Sequence, residues 1–367
     1  MKRCEVSIMG KKKQLVTKLI SYGLVILAFA FCELKMNGTF GWFMSRSMKG
    51  QLISICVYIS MAVSLNLVVG FSGELSLGHA GFMSIGAFTG VVVSGYLLNA
   101  FSVQNLILRI VIAMAAGGLV AGVFGFLIGI PVLRLKGDYL AIVTLAFGEI
   151  IKNVINVLYI GKDSTGLHFS IKDKASLGLG SDGVMIVDGA KGITGTPHQS
   201  TFTVGIIIMI LSLIVVFNLV NSRSGRAVMS IRDNRIAAES VGINITKYKL
   251  MAFSISAAIA GAGGALYAHN LSTLTALPSN FGYNMSIMIL VFVVLGGMGS
   301  FRGSIIAAVL LTLLPEVLRG LSDYRMLIYA IVLIIMMLFN WAPKALEWRQ
   351  KVASKFSFKK KKSGEVE

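Results

Sequence analysis

The sequence predicts an all-α polytopic membrane protein with about ten transmembrane helices, and three observations carry that prediction. Hydrophobic residues make up 55% of the 367 positions and charged ones only 14%, with a mean hydropathy of +0.79. So few charges leave too little polar surface to cover a water-soluble fold of this size. Apolar stretches near twenty residues long, enough to cross about 30 Å of hydrocarbon, recur along the whole chain. The basic residues behind the formal charge of +18 sit at the ends of those stretches and in the tail. Orientation in a bilayer explains that placement better than a nucleic-acid partner does.

The elements follow in order. Lys11, Lys12 and Lys13 precede an apolar run at 15–33 that has the outline of a signal peptide, and Ala28-Phe29-Ala30 imitates a cleavage site. Because further spans follow, it is expected to be an uncleaved first span. The remaining spans are expected at 51–70, 80–98, 106–130, 139–160, 202–221, 248–269, 284–298, 303–319 and 324–341, with ends good to a few residues. An even number puts both termini on one side. The connections on that side hold more than twice as many Lys and Arg as those on the other, so both termini are expected in the cytoplasm. The layout is a basic cytoplasmic N-terminus (1–14), a single membrane domain (15–341) and a basic cytoplasmic tail (342–367). Lys359 to Lys362 would meet anionic lipid there. Residues 161–201 form the longest external connection, too polar and too broken by glycine to span. It reads either as a small external cap or as a flexible loop.

The chain is organised around a polar island, Asn221 to Lys249, between two apolar runs. Ile236, Ala237, Ser240 and Val241 would share one face of a short helix. Gly242 is placed to stop it, since glycine takes the left-handed cap at no steric cost. A short amphipathic helix held at the membrane surface is a handle for another protein. The alternative is an ordinary cytoplasmic loop at 222–247, basic only because orientation requires it.

Two stretches are rich in glycine and small residues, Gly70 to Gly90 and Ala257 to Gly264. Small residues let spans pack closely. Glycine at this density also permits broken or re-entrant helices, which survive at membrane depth only inside protein or beside water. The polar residues in or near the spans are Asn66, Glu74, Ser76, His79, Asp138, Thr144, Glu149 and Glu316. The first seven are candidates for lining a translocation path, although internal pairing is an equal reading for each.

Other chemistry is not indicated. No phosphate loop of the form G-x-x-x-x-G-K-[ST] occurs. The histidines at 79, 168, 198 and 269 and the cysteines at 4, 32 and 56 have no metal-ligand spacing. No nucleophile, base and orienting partner come together, so no catalytic residue, cofactor or metal is expected.

Four stretches together resemble the integral-membrane permease subunits of branched-chain amino acid ATP-binding-cassette importers, and in particular the second permease type of the leucine, isoleucine and valine systems. They are Leu133 to Asn153 (LRLKGDYLAIVTLAFGEIIKN), Asn66 to Phe88, Ser224 to His269 and Leu295 to Ala308 (LGGMGSFRGSIIAA). The resemblance implies a prokaryotic plasma-membrane assembly: this chain, a second permease subunit, two cytoplasmic ABC ATPases that bind the ATP, and an external solute-binding protein. It implies that Arg232 to Ile243 is a coupling helix. Its residues Arg232, Asp233, Asn234, Arg235, Ile236, Ala237, Ala238, Glu239, Val241 and Gly242 would meet the ATPase, with Arg232, Asp233 and Arg235 at the rim of the contact. Permeases for urea or short amides share much of the pattern and stand as an alternative, and a gradient-driven secondary transporter stands as another. The pattern departs from the family in the external segment at Lys191 to Pro197 (KGITGTP), which puts contacts to a binding protein in doubt.

Overall fold

The computed structural model describes residues 46–101, 105–135, 137–163, 166–178, 183–196, 200–318 and 324–341. The first expected span at 15–33, the N-terminal segment and the basic tail lie outside them. Helix α1 (Arg46–Asn66) runs into a π-helical turn (Leu67–Phe71), and an extended connection at 72–78 leads to α2 (His79–Phe101). Helices α3 (Leu106–Val132) and α4 (Asp138–Asn156) follow. After strands β1 (Tyr159–Asp163), β2 (Gly166–Ser170), β3 (Val184–Asp188) and β4 (Ile193–Thr194) comes α5 (Phe202–Asn221). The island holds α6 (Arg223–Asp233) and α7 (Arg235–Ser240), and α8 (Ile245–Ala268) leaves it. Strand β5 (Thr273–Leu274) and helices α9 (Pro278–Phe281), α10 (Tyr283–Gly296), α11 (Phe301–Val317) and α12 (Arg325–Trp341) complete the described chain.

Six of the described segments are long and apolar enough to cross a bilayer: Gly50–Phe71, His79–Leu98, Leu106–Val132, Phe202–Asn221, Ile245–Ala268 and Pro278–Gly296. The other three expected spans coincide with α4, α11 and α12, of 19, 17 and 17 residues. The protein is thus a multi-pass helical membrane protein.

Helix α8 is the centre of the bundle and packs most extensively on α3 and α2. The reason is the Ala257 to Gly264 stretch. A Cβ on Gly86 would lie 2.0 Å from the carbonyl oxygen of Gly261, and one on Gly264 would lie 2.0 Å from that of Met83. A Cβ on Gly261 would meet the Ala121 Cβ at 2.3 Å. Lipid tails are as apolar as leucine, so close backbone approach takes over the role that the hydrophobic effect has in water. Of the two readings of this stretch, packing is the one the structure shows.

The connection at 161–201 does not cross the bundle. It forms a three-stranded antiparallel sheet in the order β2-β1-β3, with a register shift between Ile160 and Gly161. Strand β4 pairs with β5, Ile193 opposite Leu274. The Thr196 hydroxyl donates to the Leu271 carbonyl and the Ser200 hydroxyl to that of His269, the latter at 3.1 Å. Strands this short, with a register shift, leave no alternation to read in a sequence.

The contacts sort the connections into two ends. The 66–74 segment, the island and the turn at 297–300 touch one another at one end, and the sheet, β5 and the Asn270–Gly50 contact lie at the other.

Candidate functional site

The island folds as two helices rather than one. Ser222 starts α6, its Oγ accepting from the Gly225 amide at 3.1 Å. At Asn234 the backbone turns out of the helix, with φ −154° and ψ 104°. The Asn234 Oδ1 accepts from the Ala237 amide at 3.0 Å, which makes it the N-cap of α7. Arg232 and Asp233 therefore close α6 and do not belong to the helix they were expected to open. Gly242 ends α7 at φ +82°. The Gly242 amide donates to the Glu239 carbonyl at 3.0 Å and the Ile243 amide to that of Ala238 at 3.1 Å, the paired bonds of a Schellman stop.

The two faces of α7 differ. Ala238 is buried, 3% exposed, in a small cluster with Ile231 and Ile245. Ile236 and Val241 are 80% and 74% exposed. Arg235, Ala237, Glu239 and Ser240 are exposed around them. Large apolar groups on a capped, exposed turn have the character of a docking face. Ala238 lies on the inner side and holds α7 to its own chain.

Arg232 reaches away from that face. Its Nη1 donates to the Gly70 carbonyl at 2.8 Å, while its Nε and Nη2 donate to Asp233 Oδ1 at 3.2 and 3.0 Å. Gly70 sits in the π-helical turn. A Cβ there would lie 1.9 Å from Asn66 Oδ1 and 2.3 Å from the Gly299 nitrogen. The turn at 297–300 fits only against glycine.

The path candidates are placed as follows. Asn66 is fully buried; its Nδ2 donates to Ser304 Oγ at 3.0 Å and its Oδ1 accepts from the Gly299 amide at 2.9 Å. Glu74 forms an ion pair with Lys249, the two side chains only 12% and 9% exposed. His79 Nε2 and Ser64 Oγ share a hydrogen bond of 2.7 Å, and Ser256 Oγ donates to the Ser64 carbonyl at 2.6 Å. The Ser76 hydroxyl is buried with no hydrogen-bond partner among the described residues. Thr144 Oγ1 accepts from the Leu77 amide at 2.9 Å and donates to the Ala141 carbonyl at 2.9 Å. Glu149 pairs with the buried Lys152 and accepts from the Tyr283 amide at 2.8 Å, at the start of α10, where a negative charge is favoured. Asp138 is exposed in the first turn of α4, and Glu316 is half-buried near the end of α11.

Asn66, Glu74, His79 and Thr144 are braced at the 66–79 connection, whereas Glu149 and Lys152 brace the start of α10 separately and Asp138 and Glu316 lie outside that region. Lys249, Lys152, Ser64, Ser256, Ser304 and Gly299 complete the pairs, and none of them stood out in the sequence. An intramembrane carboxylate demands a cation, and that demand was the available signal for Lys152 and Lys249.

An apolar groove of about 830 Å³ lies between α2, α3 and α4 beneath the sheet, lined by Phe88, Phe124, Phe147, Pro131 and Phe169 among others. None of the seven path candidates lines it. Such a groove suits hydrocarbon rather than a zwitterion.

Apolar spans, close-packed glycines and an exposed capped helix at one end define a polytopic helical membrane protein. The chain belongs to the branched-chain amino acid transport system permease component family, whose model matches residues 47–339. It is 37% identical to the high-affinity branched-chain amino acid transport system permease protein LivM of Salmonella typhimurium over 302 residues, 79% of this chain and 67% of the relative. LivM of Escherichia coli K12 is 36% identical with the same coverage. The L-arabinose ABC transporter permease protein AraH of Azospirillum brasilense is 24% identical over 332 residues, 89% of each chain. No solved structure matches the chain.

Proposed function

We propose that this chain is one of two permease subunits of an ATP-driven importer that carries branched-chain amino acids (leucine, isoleucine and valine) into the cytoplasm. The observation that carries the proposal is the exposed face of α7, Ile236 and Val241 beside Ala237, on a helix capped at both ends outside the spans. In this reading α7 docks on a separate ABC ATPase, which binds the ATP. Arg235 and Glu239 contact its rim, and closure of the ATPase moves the bundle. The likeness to the LivM relatives supports branched-chain amino acids as the solute. Most path candidates are held by internal partners, so the route is shared with the second permease subunit and does not run through this chain alone. An external solute-binding protein delivers the solute at the end that carries the sheet. The excess of basic residues supports cytoplasmic placement of the island and both termini.

The test is to purify the tagged chain in mild detergent from its own host and identify what accompanies it by mass spectrometry. A phosphate-loop ATPase together with a second permease is the expected result. Labelled leucine uptake should then be competed by isoleucine and valine but not by urea, acetamide or arabinose. Isolation of the chain alone, under conditions that keep membrane complexes intact, would overturn the proposal and point to gradient-driven transport.

A further inference from the structure

We infer that Arg232 and Lys249 form a two-point clamp that carries the motion of α7 to the 70–74 segment, and through it to the ends of α1 and α2. The inference rests on the reading of α7 as the ATPase contact and names the residues through which that contact would act.

The two cations lie on either side of α7, one closing α6 and the other just inside α8. Both grip the same short stretch. Arg232 Nη1 holds the Gly70 carbonyl at 2.8 Å and Lys249 is ion-paired with Glu74. Their acceptors are available because the π-helical turn ends the α1 span. The Ser72 amide turns back to the Leu67 carbonyl and the Glu74 amide to that of Val68, each at 3.1 Å, and the Gly70 carbonyl accepts from outside the turn.

The clamp is coupled to α7 by packing. Ala238 of α7 sits between Ile231, next to Arg232, and Ile245, one turn before Lys249. A displacement of α7 therefore carries both cations with it. On the receiving side there is little slack. A Cβ on Gly73 would lie 2.7 Å from the Arg232 side chain, and Gly70 is pressed on Asn66 and Gly299. Asn66 bonds the Gly299 amide and Ser304, so movement of the turn reaches α11 as well. Packed elements with two discrete arrangements transmit motion, and a nearly buried ion pair resists slipping. Arg232 and Lys249 are thus positioning residues that act through Gly70 and Glu74.

The test uses the whole complex, purified with its ATPase and reconstituted in liposomes with the solute-binding protein. The readout is labelled leucine transported per ATP hydrolysed. Glu74→Lys and Lys249→Glu should each lower that ratio about tenfold, within the usual range of coupling free energies, while the ATPase still co-purifies. The double exchange, Glu74→Lys with Lys249→Glu, should recover most of it. Arg232→Gln, which keeps a polar side chain but shortens its reach, should also lower the ratio. A merely structural role would reduce the amount of complex and leave leucine per ATP unchanged. An unchanged ratio in the single variants, or no recovery in the double exchange, would overturn the clamp. Should the single exchanges fail to insert, Arg232→Gln decides, and an unchanged ratio there overturns it. A wild-type complex without ATP-linked uptake would instead sink the permease reading itself.

Discussion

Asn66 shows how a polar residue is kept inside this bundle. It has no exposed surface, and its amide bridges the Gly299 nitrogen and the Ser304 hydroxyl, which in turn donates to the Ser300 carbonyl at 3.1 Å. Each buried group left unpaired costs about 1–3 kcal/mol. Asn66→Ala is therefore expected to lower the unfolding temperature in detergent by several degrees. A melting curve that matches the wild type would show that the brace adds nothing to stability. His79 is similar. If the Ser64 hydroxyl donates to the Met61 carbonyl at 2.9 Å, then the imidazole Nε2 must carry the proton that Ser64 accepts. Such residues were legible in the sequence as costly groups in apolar surroundings. Their partners were not, because Asn66 and Gly299 lie 233 positions apart and only packing brings them together.

At the scale of elements, the end of the bundle that carries the island is built from side-chain caps. Ser222, Asn234, Asn244 and Ser300 each accept a hydrogen bond from an amide in the first turn of the helix they begin. A cap of this kind is worth about 1 kcal/mol and fixes where a helix starts. Asn234 is what divides the island into α6 and α7. The division separates two substitutions that look equivalent in the sequence. Ala237→Arg places a cation on the exposed face, and the protein should insert normally while leucine uptake is lost. Ala238→Arg forces a cation between Ile231 and Ile245, so the yield of monodisperse protein should fall, as read by size-exclusion chromatography. Full uptake by Ala237→Arg would remove α7 as the docking element, and normal yield of Ala238→Arg would contradict the inward face.

For the whole molecule, the contacts separate two ends, and the excess of basic residues predicts that the end carrying the island faces the cytoplasm. An impermeant maleimide should label Val241→Cys in inside-out vesicles only and Phe169→Cys in right-side-out vesicles only, in a background where Cys4, Cys32 and Cys56 are replaced. Val241 and Phe169 are both well exposed, so neither result would reflect shielding by this chain. The reverse pattern would invert the topology. It would place the island outside the cell, where no ATPase could reach it.

What the sequence by itself determined is everything that depends on neighbours within a few turns. Hydropathy over twenty residues located helices at the nine expected positions in the described region, six of them long and apolar enough to cross a bilayer, and glycine at position 242 marked the stop of α7. The family resemblance rested on unbroken stretches of residues. Only the tertiary structure decided which side of α7 Ala238 faces, that Gly86 and Gly261 meet, that the strands between 159 and 188 form a sheet, and that Lys249 answers Glu74 across 175 positions. The physical reason is that periodicity and capping are local free energies, read within a segment. A buried charge or an amide finds its partner only after the helices have chosen their neighbours, and here the steric fit of small residues in the bilayer makes that choice.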